Sequence, residues 1–252
     1  MNKLSVVIIT LNEEENITRC INSVKELADE IIVVDSFSTD KTCELAEKLG
    51  AKVIQHAFEG YVKQKNFAKD LAANTYVLSL DADEYLSGEL KRSIEKAKED
   101  FVFDAYSMNR LNFYCGKPIK TCGWYPDKKI RLWNKEKVEW TGIYVHEQLE
   151  LAKGSTLAQL NGDILHDTYP TKQDLLNQVD KFATYRANEL KSKNTVVLIL
   201  KLLFSAPIKF IRNYFFKLGF TDGSAGWEIC YHQSREVFLK YYLALKFKFY
   251  KG

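Results

Sequence analysis

The sequence lacks the two glycine-rich patterns that most often hold phosphate groups in nucleotide-binding proteins. No G-x-G-x-x-G follows the first apolar run at residues 4–9, and no G-x-x-x-x-G-K-[ST] occurs anywhere in the 252 residues. Both patterns place backbone N–H groups against phosphates at the start of a helix. Their absence disfavours a dinucleotide-binding dehydrogenase and a P-loop nucleotidase.

Cysteine is scarce and shows no pattern. The five cysteines are scattered and odd in number, and no C-x-x-C pair occurs. Disulfide frameworks and structural zinc sites need cysteines paired at defined spacings. The sequence therefore fits a protein of a reducing cytosol better than a disulfide-bonded or zinc-binding one.

Long apolar runs are also missing. Residues 4–9 are apolar, but this run is too short for a signal peptide and passes into the acidic residues 13–15. Residues 196–204 are very apolar, but Lys201 interrupts them and Pro207 follows. Because a spanning helix needs about 20 apolar residues, no transmembrane segment is predicted here.

Aromatic and basic residues mix over 209–217, which suits a helix in the membrane interface. The alternative is a helical lid packed on the core.

Apolar and aromatic residues are abundant, at 46% and 13%, so the chain can bury a substantial core. Its length fits one large domain, or one domain with an appendage.

The formal net charge is +3, but residues 201–252 alone have nine Lys/Arg and three Asp/Glu, which makes that part +6 and the rest −3. This asymmetry predicts an acidic body and a basic tail that meets an anionic surface. Nucleic acid is not expected to be that surface, because no compact recognition motif occurs.

Three acidic residues follow an apolar run in the middle of the chain. Residues 76–80 have the pattern of a short buried strand, and Asp81, Asp83 and Glu84 come directly after it. Ligands of open α/β sheets bind outside the carboxyl ends of the strands. Asp81 and Asp83 would leave an extended chain on the same face, and two carboxylates suit Mg²⁺ or Mn²⁺ bound to substrate phosphates. A solvated acidic turn is the alternative interpretation.

Strand and helix patterns alternate before this stretch. Strands are predicted at residues 4–9, 30–35, 51–55 and 76–80, with helical patterns between them. Asn12 is a plausible N-cap for the first helix. The alternation predicts a parallel α/β sheet with binding loops at residues 10–13, 35–40 and 81–84. Residues 105–109 and 129–133 alternate as further strands, and an apolar helix face follows over 175–190.

Three segments in this order resemble the family 2 inverting glycosyltransferases: residues 5–14 (SVVIITLNEE), 31–40 (IIVVDSFSTD) and 80–84 (LDADE). The branch that contains lipopolysaccharide-core β-1,4-glucosyltransferases is the most similar. Five further segments resemble that branch: residues 63–66 (KQKN), 125–127 (YPD), 131–133 (RLW), 145–147 (VHE) and 220–226 (FTDGSAG).

The resemblance implies an α/β fold of the GT-A type, with a Rossmann-like nucleotide-binding sheet, a mixed acceptor-side half and C-terminal helices. The glycosyltransferase domain would span residues 1–170, with a nucleotide-binding half at 1–103 and an acceptor half at 104–170. Residues 171–252 would form a helical, basic region that associates with a membrane.

The resemblance also implies roles for single residues. Six of them would bind the nucleotide-sugar donor: Thr10, Asn12, Glu13, Asp35, Lys65 and Asp81. Asp83 would bind a divalent metal, Mg²⁺ or Mn²⁺, at the donor diphosphate. Apart from the resemblance, His146 and His166 compete as a metal ligand or a diphosphate contact, with a hydrogen-bonded core or loop histidine as the alternative interpretation of each.

An inverting transfer needs a carboxylate that accepts the proton of the attacking hydroxyl. Glu147 is favoured because residues 145–147 resemble the family's motif in the acceptor region. Asp127 is the second candidate, and a structural Asp127 paired with Lys128 or Arg131 is the alternative.

The sequence thus predicts a cytoplasmic enzyme, peripheral on the inner face of the cytoplasmic membrane. It would move a hexose, glucose from UDP-glucose, onto the lipopolysaccharide core or another lipid-linked saccharide.

One rival function is that of a phosphohydrolase of the haloacid dehalogenase type, which also places D-x-D after a strand. The other is that of a non-catalytic nucleotide-sugar-binding membrane adaptor, which the intact set of acids disfavours.

Overall fold

The computed structural model describes residues 2–142 and 148–249. The chain divides into two compact units. The first comprises Met1–Arg110 and Asp127–His166, and the second comprises Leu111–Pro126 and Asp167–Gly252. Residues 104–170, expected as one acceptor half, are therefore shared between the two units.

The first unit is built on strands and short helices. Its strands are β1 (Leu4–Thr10), β2 (Glu30–Asp35), β3 (Lys52–Gln55), β4 (Tyr76–Asp81), β5 (Glu84–Leu86), β6 (Ala105–Tyr114), β8 (Asp127–Asn134), β9 (Val138–Thr141), β10 (Gln148–Leu151) and β11 (Leu157–Tyr169). Its helices are α1 (Ile17–Val24), α2 (Thr42–Lys48), α3 (Tyr61–Leu71) and α4 (Gly88–Glu99), with a 3₁₀ turn at Lys135–Lys137. Strands β6 and β11 extend beyond this unit along the chain.

The strands pair in the order β3-β2-β1-β4-β8-β6-β11-β5. Strands β1 to β4 are parallel, whereas β8 runs antiparallel to β4 and β6, and β5 runs antiparallel to β11. Every residue of β1 is buried, as expected for a central strand covered on both faces. The predicted α/β class, with a parallel part of the sheet, a mixed part and C-terminal helices, is confirmed.

Two hydrophobic clusters cover the two faces of this sheet. One is formed by alternate residues of β1 and β4 (Val6, Ile8, Leu78 and Leu80) with α1 and α4. The other includes Val7, Ile9 and Val77 with α3, Trp133 and Trp140. Because side chains alternate along a strand, the apolar runs of β1 and β4 supply both clusters at once.

The second unit is mainly helical. It contains α5 (Lys172–Leu190), α6 (Thr195–Ile211), a π-helical turn (Arg212–Phe216), a 3₁₀ turn (Gly219–Asp222), α7 (Ser224–Phe249) and the short strand β7 (Lys117–Pro118). Helix α7 packs against both α5 and α6. Gly226 lies so close to Gly219 that a Cβ atom there would be 1.8 Å from the Gly219 carbonyl oxygen. The segment 220–226 therefore has a structural role in this unit.

Two details differ from the sequence patterns. Asn12 does not cap α1, because that helix begins at Ile17 and Asn16 occupies the N-cap position. Pro207 lies inside α6, which continues to Ile211. Asn12 adopts a positive φ of 54° and connects two loops instead, as described below.

Candidate active site

The carboxyl ends of β1, β2 and β4 lie side by side at one edge of the sheet. Thr10 of β1 is in register with Asp35 of β2, and Ile9 is in register with Asp81 of β4. The predicted loops that follow these strands therefore meet at one place. This edge is where ligands of α/β sheets bind.

Asn12 joins the loop after β1 to the loop after β2. Its N–H donates to Ser38 Oγ at 2.8 Å, and its side-chain oxygen accepts from the Thr39 N–H at 2.8 Å. Asp35 is fully buried, and its carboxylate accepts from the N–H and the hydroxyl of Ser38. The two loops thus form a fixed rim beside β1, in which Asp35 shapes its own loop.

Thr10 and Glu13 add polar groups to the same rim. The Thr10 hydroxyl is buried and has no hydrogen-bond partner among the described residues. Glu13 Oε2 accepts from Asn16 Nδ2 at 2.7 Å. Burial raises the pKa of Glu13, and the negative charges of Asp83 and Asp40 raise it further, whereas Asn16 opposes this. A cation bound nearby would act in the opposite direction, lowering this pKa and favouring the ionised form of Glu13.

Asp81 is held from two sides by cations. Its Oδ2 accepts from Arg131 Nη2 at 2.8 Å, and its Oδ1 lies 3.3 Å from Lys65 Nζ. Burial alone would raise the pKa of Asp81, but Lys65 and Arg131 outweigh it and hold the pKa far below its usual range. Lys65 is only 3% exposed, and its ammonium group also lies 4.8 Å from the Trp140 ring centroid. Lys65 thus fixes Asp81 from within the core.

Glu84, like Asp35, is a fully buried acid of the site. Its Oε1 accepts from Arg131 Nη2 at 2.7 Å and from Arg110 Nη1 at 3.0 Å, and its Oε2 accepts from the Asp81 backbone N–H at 3.1 Å. Burial opposes ionisation, yet Arg131 and Arg110 lower the pKa of Glu84. Burial likewise opposes the charge of Arg131, and Glu84 and Asp81 raise the pKa of that guanidinium. Glu84 is a structural counterion beneath the site.

Asp83, like Asp81, is partly exposed, whereas Glu84 is fully buried. The side chain of Asp83 is 31% exposed, and its Oδ2 lies 3.0 Å from Nε2 of His166. Strand β5 pairs with β11 so that His166 is opposite Glu84, which brings the imidazole to the acidic turn from a position 83 residues away. The two predicted metal ligands are therefore adjacent.

The second base candidate is paired differently from the prediction. Asp127 Oδ2 accepts from Arg110 Nε at 2.9 Å, and its Oδ1 lies 3.1 Å from Lys129 Nζ. The alternative interpretation, a structural Asp127, named Lys128 or Arg131 as its partner. Asp127 is indeed paired, but with Arg110 and Lys129, while Arg131 is paired with Asp81 and Glu84. Burial opposes the ionisation of Asp127, but Arg110 and Lys129 lower its pKa. The favoured base, Glu147, lies outside the described residues, as does His146.

Arg110 and Arg131 are the site residues whose roles the sequence did not reveal. Arg131 lies next to Leu132 and Trp133, and these three are the buried residues of β8. A buried arginine needs a buried counterion. That requirement was the available signal, because Asp81 and Glu84 were the acids already predicted at the end of a buried strand. No comparable signal marks Arg110.

A model of the glycosyl transferase family 2 matches residues 5–146, more than half of the chain. The chain belongs to this family and is a glycosyltransferase, so the predicted family is confirmed. It is 34% identical over 236 residues to an uncharacterised glycosyltransferase of Rickettsia typhi, a match that covers 90% of this chain and 81% of that protein.

Two other similarities are more distant. The lipopolysaccharide core biosynthesis glycosyltransferase LpsC of Rhizobium meliloti is 27% identical over 221 residues, covering 84% of this chain and 80% of that protein. A crystal structure of glucosyl-3-phosphoglycerate synthase from Mycobacterium tuberculosis, in complex with Mn²⁺, UDP and phosphoglyceric acid, is 19% identical. That match has a TM-score of 0.48 and covers 71% of this chain and 74% of the other.

Proposed function

We propose that the protein is a metal-dependent, inverting glycosyltransferase. It moves a hexose, glucose from UDP-glucose, onto a lipid-linked saccharide of the lipopolysaccharide core, at the inner face of the cytoplasmic membrane. The observation that carries the proposal is the adjacent pair of Asp83 and His166 at the carboxyl end of β4. Family membership supports the reaction class, and the name of the LpsC relative supports the acceptor class.

The residues present fit a divalent cation. Asp83 offers a partly exposed carboxylate oxygen and His166 an imidazole nitrogen, 3.0 Å apart. Among the described residues, no group of three His, Cys, Asp or Glu side chains forms a metal cage. Two protein ligands suit Mg²⁺ or Mn²⁺, which keep waters and take substrate phosphates as further ligands. When bound, the cation would neutralise charge on the leaving diphosphate.

The remaining donor residues have separate tasks in this proposal. Asp81 is presented as a fixed carboxylate to the ribose or donor sugar, because Arg131 and Lys65 leave it little freedom. Thr10, Asn12, Glu13 and Asp35 form the rim for the nucleotide. Lys65 acts through Asp81, since its ammonium group is buried against that carboxylate.

Glu147 is the proposed base, and the surroundings of Asp127 support this choice. A base must accept a proton, and its efficiency falls when cations lower its pKa. Asp127 is paired with both Arg110 and Lys129, which makes it a poor proton acceptor. Asp127 instead completes the charge cluster around Arg110.

The reaction class is tested by what the purified protein releases. With UDP-glucose and Mn²⁺, we expect release of UDP, and faster release with a lipid-linked saccharide acceptor. Release of phosphate from simple phosphomonoesters without UDP release would contradict the proposal. That outcome would favour the haloacid dehalogenase type, in which the first aspartate attacks phosphorus. The pairing of Asp81 with Arg131 and Lys65 argues against such a nucleophile.

Glu147→Gln is expected to abolish sugar transfer while donor binding stays nearly unchanged, because the base acts on the acceptor hydroxyl. Transfer and UDP-glucose affinity would be measured in parallel, with Glu150→Gln as the matched control in the neighbouring strand β10. An equal loss of donor affinity would assign Glu147 to the donor site. Full activity of Glu147→Gln would leave Asp127 as the base.

A further inference from the structure

Helix α6 has an apolar surface that points away from the rest of the second unit. Val196, Leu200, Leu203, Pro207 and Ile211 recur every three or four residues and so lie along one side of the helix. We call this row the outer stripe. Its four large members are between 49% and 64% exposed.

The opposite side of α6 already supplies the contacts that the fold needs. Leu198 is buried and Leu202 packs beside it, in a cluster with Tyr241 and Ala244 of α7. These leucines lie two residues from members of the outer stripe, about 200° around the helix. A surface helix normally shows polar residues on its outer side. Helix α6 is apolar on both sides. Its inner side packs against α7, and its outer stripe would be covered by a partner outside the chain.

Aromatic residues follow directly after the outer stripe. Phe215 and Phe216 lie in the π-helical turn and Phe220 in the 3₁₀ turn, and Phe216 is 79% exposed. Trp227 is half-exposed and packs edge-on against Phe210 and Tyr214, with ring centroids 5.1 and 5.5 Å apart. Aromatic side chains of this kind are enriched at membrane–water interfaces.

The segment that carries this surface has charges of one sign. Residues 191–221 contain six basic residues and no aspartate or glutamate: Lys191, Lys193, Lys201, Lys209, Arg212 and Lys217. A second copy of the chain bound through the same patch would bring these like charges together, since a two-fold interface pairs a surface with itself. An anionic surface is complementary to them instead.

We propose that the outer stripe and the aromatic turn after it dock on an anionic lipid bilayer, with α6 lying in the interface. No helix in the described ranges combines the length and apolar character needed to cross a bilayer. Helix α6 has 17 residues, which suits an interfacial helix about 25 Å long whose apolar side enters the headgroup region. The inference rests on the proposed function in one respect: docking would bring the enzyme to a lipid-linked acceptor.

The test is co-sedimentation of the full chain with vesicles of phosphatidylcholine, with or without phosphatidylglycerol. We expect binding to the anionic vesicles at low salt, weakened but not abolished by high salt. Leu200→Glu/Leu203→Glu should reduce the bound fraction about tenfold or more, since it removes apolar area and adds negative charge. Val102→Glu/Leu157→Glu is the matched control. It introduces the same charge at exposed apolar positions of the first unit and should bind normally.

Three outcomes would overturn the inference. They are no binding of the unaltered chain at low salt, equal loss in both double variants, or a lipid-free dimer that Leu200→Glu/Leu203→Glu dissociates. The last would identify a second copy as the partner. Thermal stabilisation by UDP-glucose, measured in the same variants, separates this question from the proposed reaction. A chain that binds vesicles but no nucleotide-sugar would refute the proposed function and leave the docking surface intact.

Discussion

Asp83→Asn is expected to lower the rate of sugar transfer by about a hundredfold or more, with the fold intact. Asparagine keeps the shape of the side chain but removes the charge that would hold a cation at the diphosphate. Removing one preorganised electrostatic stabiliser from an active site has an effect of this order. Asp83 is partly exposed and outside the buried charge cluster, so the substitution should hardly affect stability.

The measurement is initial-rate transfer from UDP-glucose over a range of Mn²⁺ concentrations, with thermal unfolding recorded for each variant. Asp100→Asn, at an exposed position just after α4, is the control and should transfer sugar at the normal rate. Normal turnover by Asp83→Asn in the presence of a chelator would show that the metal role assigned to Asp83 is wrong.

Arg131→Met should destabilise the protein by about 3–5 kcal/mol, the usual effect of removing one partner from a buried ion pair. Arg131 is 3% exposed and binds both Asp81 and Glu84, so its loss leaves the fully buried Glu84 and the partly exposed Asp81 with fewer counterions. Lys129→Met on the same strand is the control. Lys129 is partly exposed and pairs with Asp127, so its loss should change the free energy of unfolding by less than about 1 kcal/mol.

A double variant and a pH series sharpen this test. Arg131→Met/Glu84→Gln should be more stable than Arg131→Met alone, because it also removes the uncompensated charge. The folded-state pKa values of Asp81 and Glu84 are lowered, so their stabilisation is present above about pH 4 and is lost as the pH falls through the lowered values. Arg131→Met should show a weaker loss of stability on acidification. If Arg131→Met were as stable as the unaltered chain, the role of Arg131 as the counterion of Asp81 and Glu84 would be contradicted.

The sequence was sufficient for the parts of the fold that depend on local pattern. The strands at Glu30–Asp35 and Tyr76–Asp81 were predicted with their boundaries nearly correct, because apolar runs are local signals. The meeting of Thr10, Asp35 and Asp81 at one edge also followed, since parallel strands bring their carboxyl ends together.

The pairing of side chains could not be predicted in the same way. Arg131 reaches Asp81 because β8 lies next to β4 in the sheet. The two strands are neighbours in space although they are not consecutive along the chain. His166 reaches Asp83 through the register of β11 with β5. Both contacts depend on long-range strand order, which residue spacing does not encode. The partners named for a structural Asp127 were wrong for the same reason.

The apolar character of residues 196–204 was visible in the sequence, but its meaning was not. Periodicity could not distinguish a lid packed on the core from a surface helix, because α6 is apolar on both sides. The structure shows which side packs on α7, and therefore which side is left exposed.

The most direct test of the central claim, that the edge after β4 binds a nucleotide-sugar through Asp83, is a thermal-shift comparison. UDP-glucose with Mn²⁺, at about a hundred times its dissociation constant, should add about 2.7 kcal/mol to the folded state. For a chain of this size each kcal/mol raises Tm by about 2–4 °C, so a shift of several degrees is expected. Asp83→Asn should lose most of that shift, and Mn²⁺ alone should give little of it. The account would be contradicted if nucleotide-sugars left Tm unchanged, or if the unaltered chain and Asp83→Asn were stabilised equally.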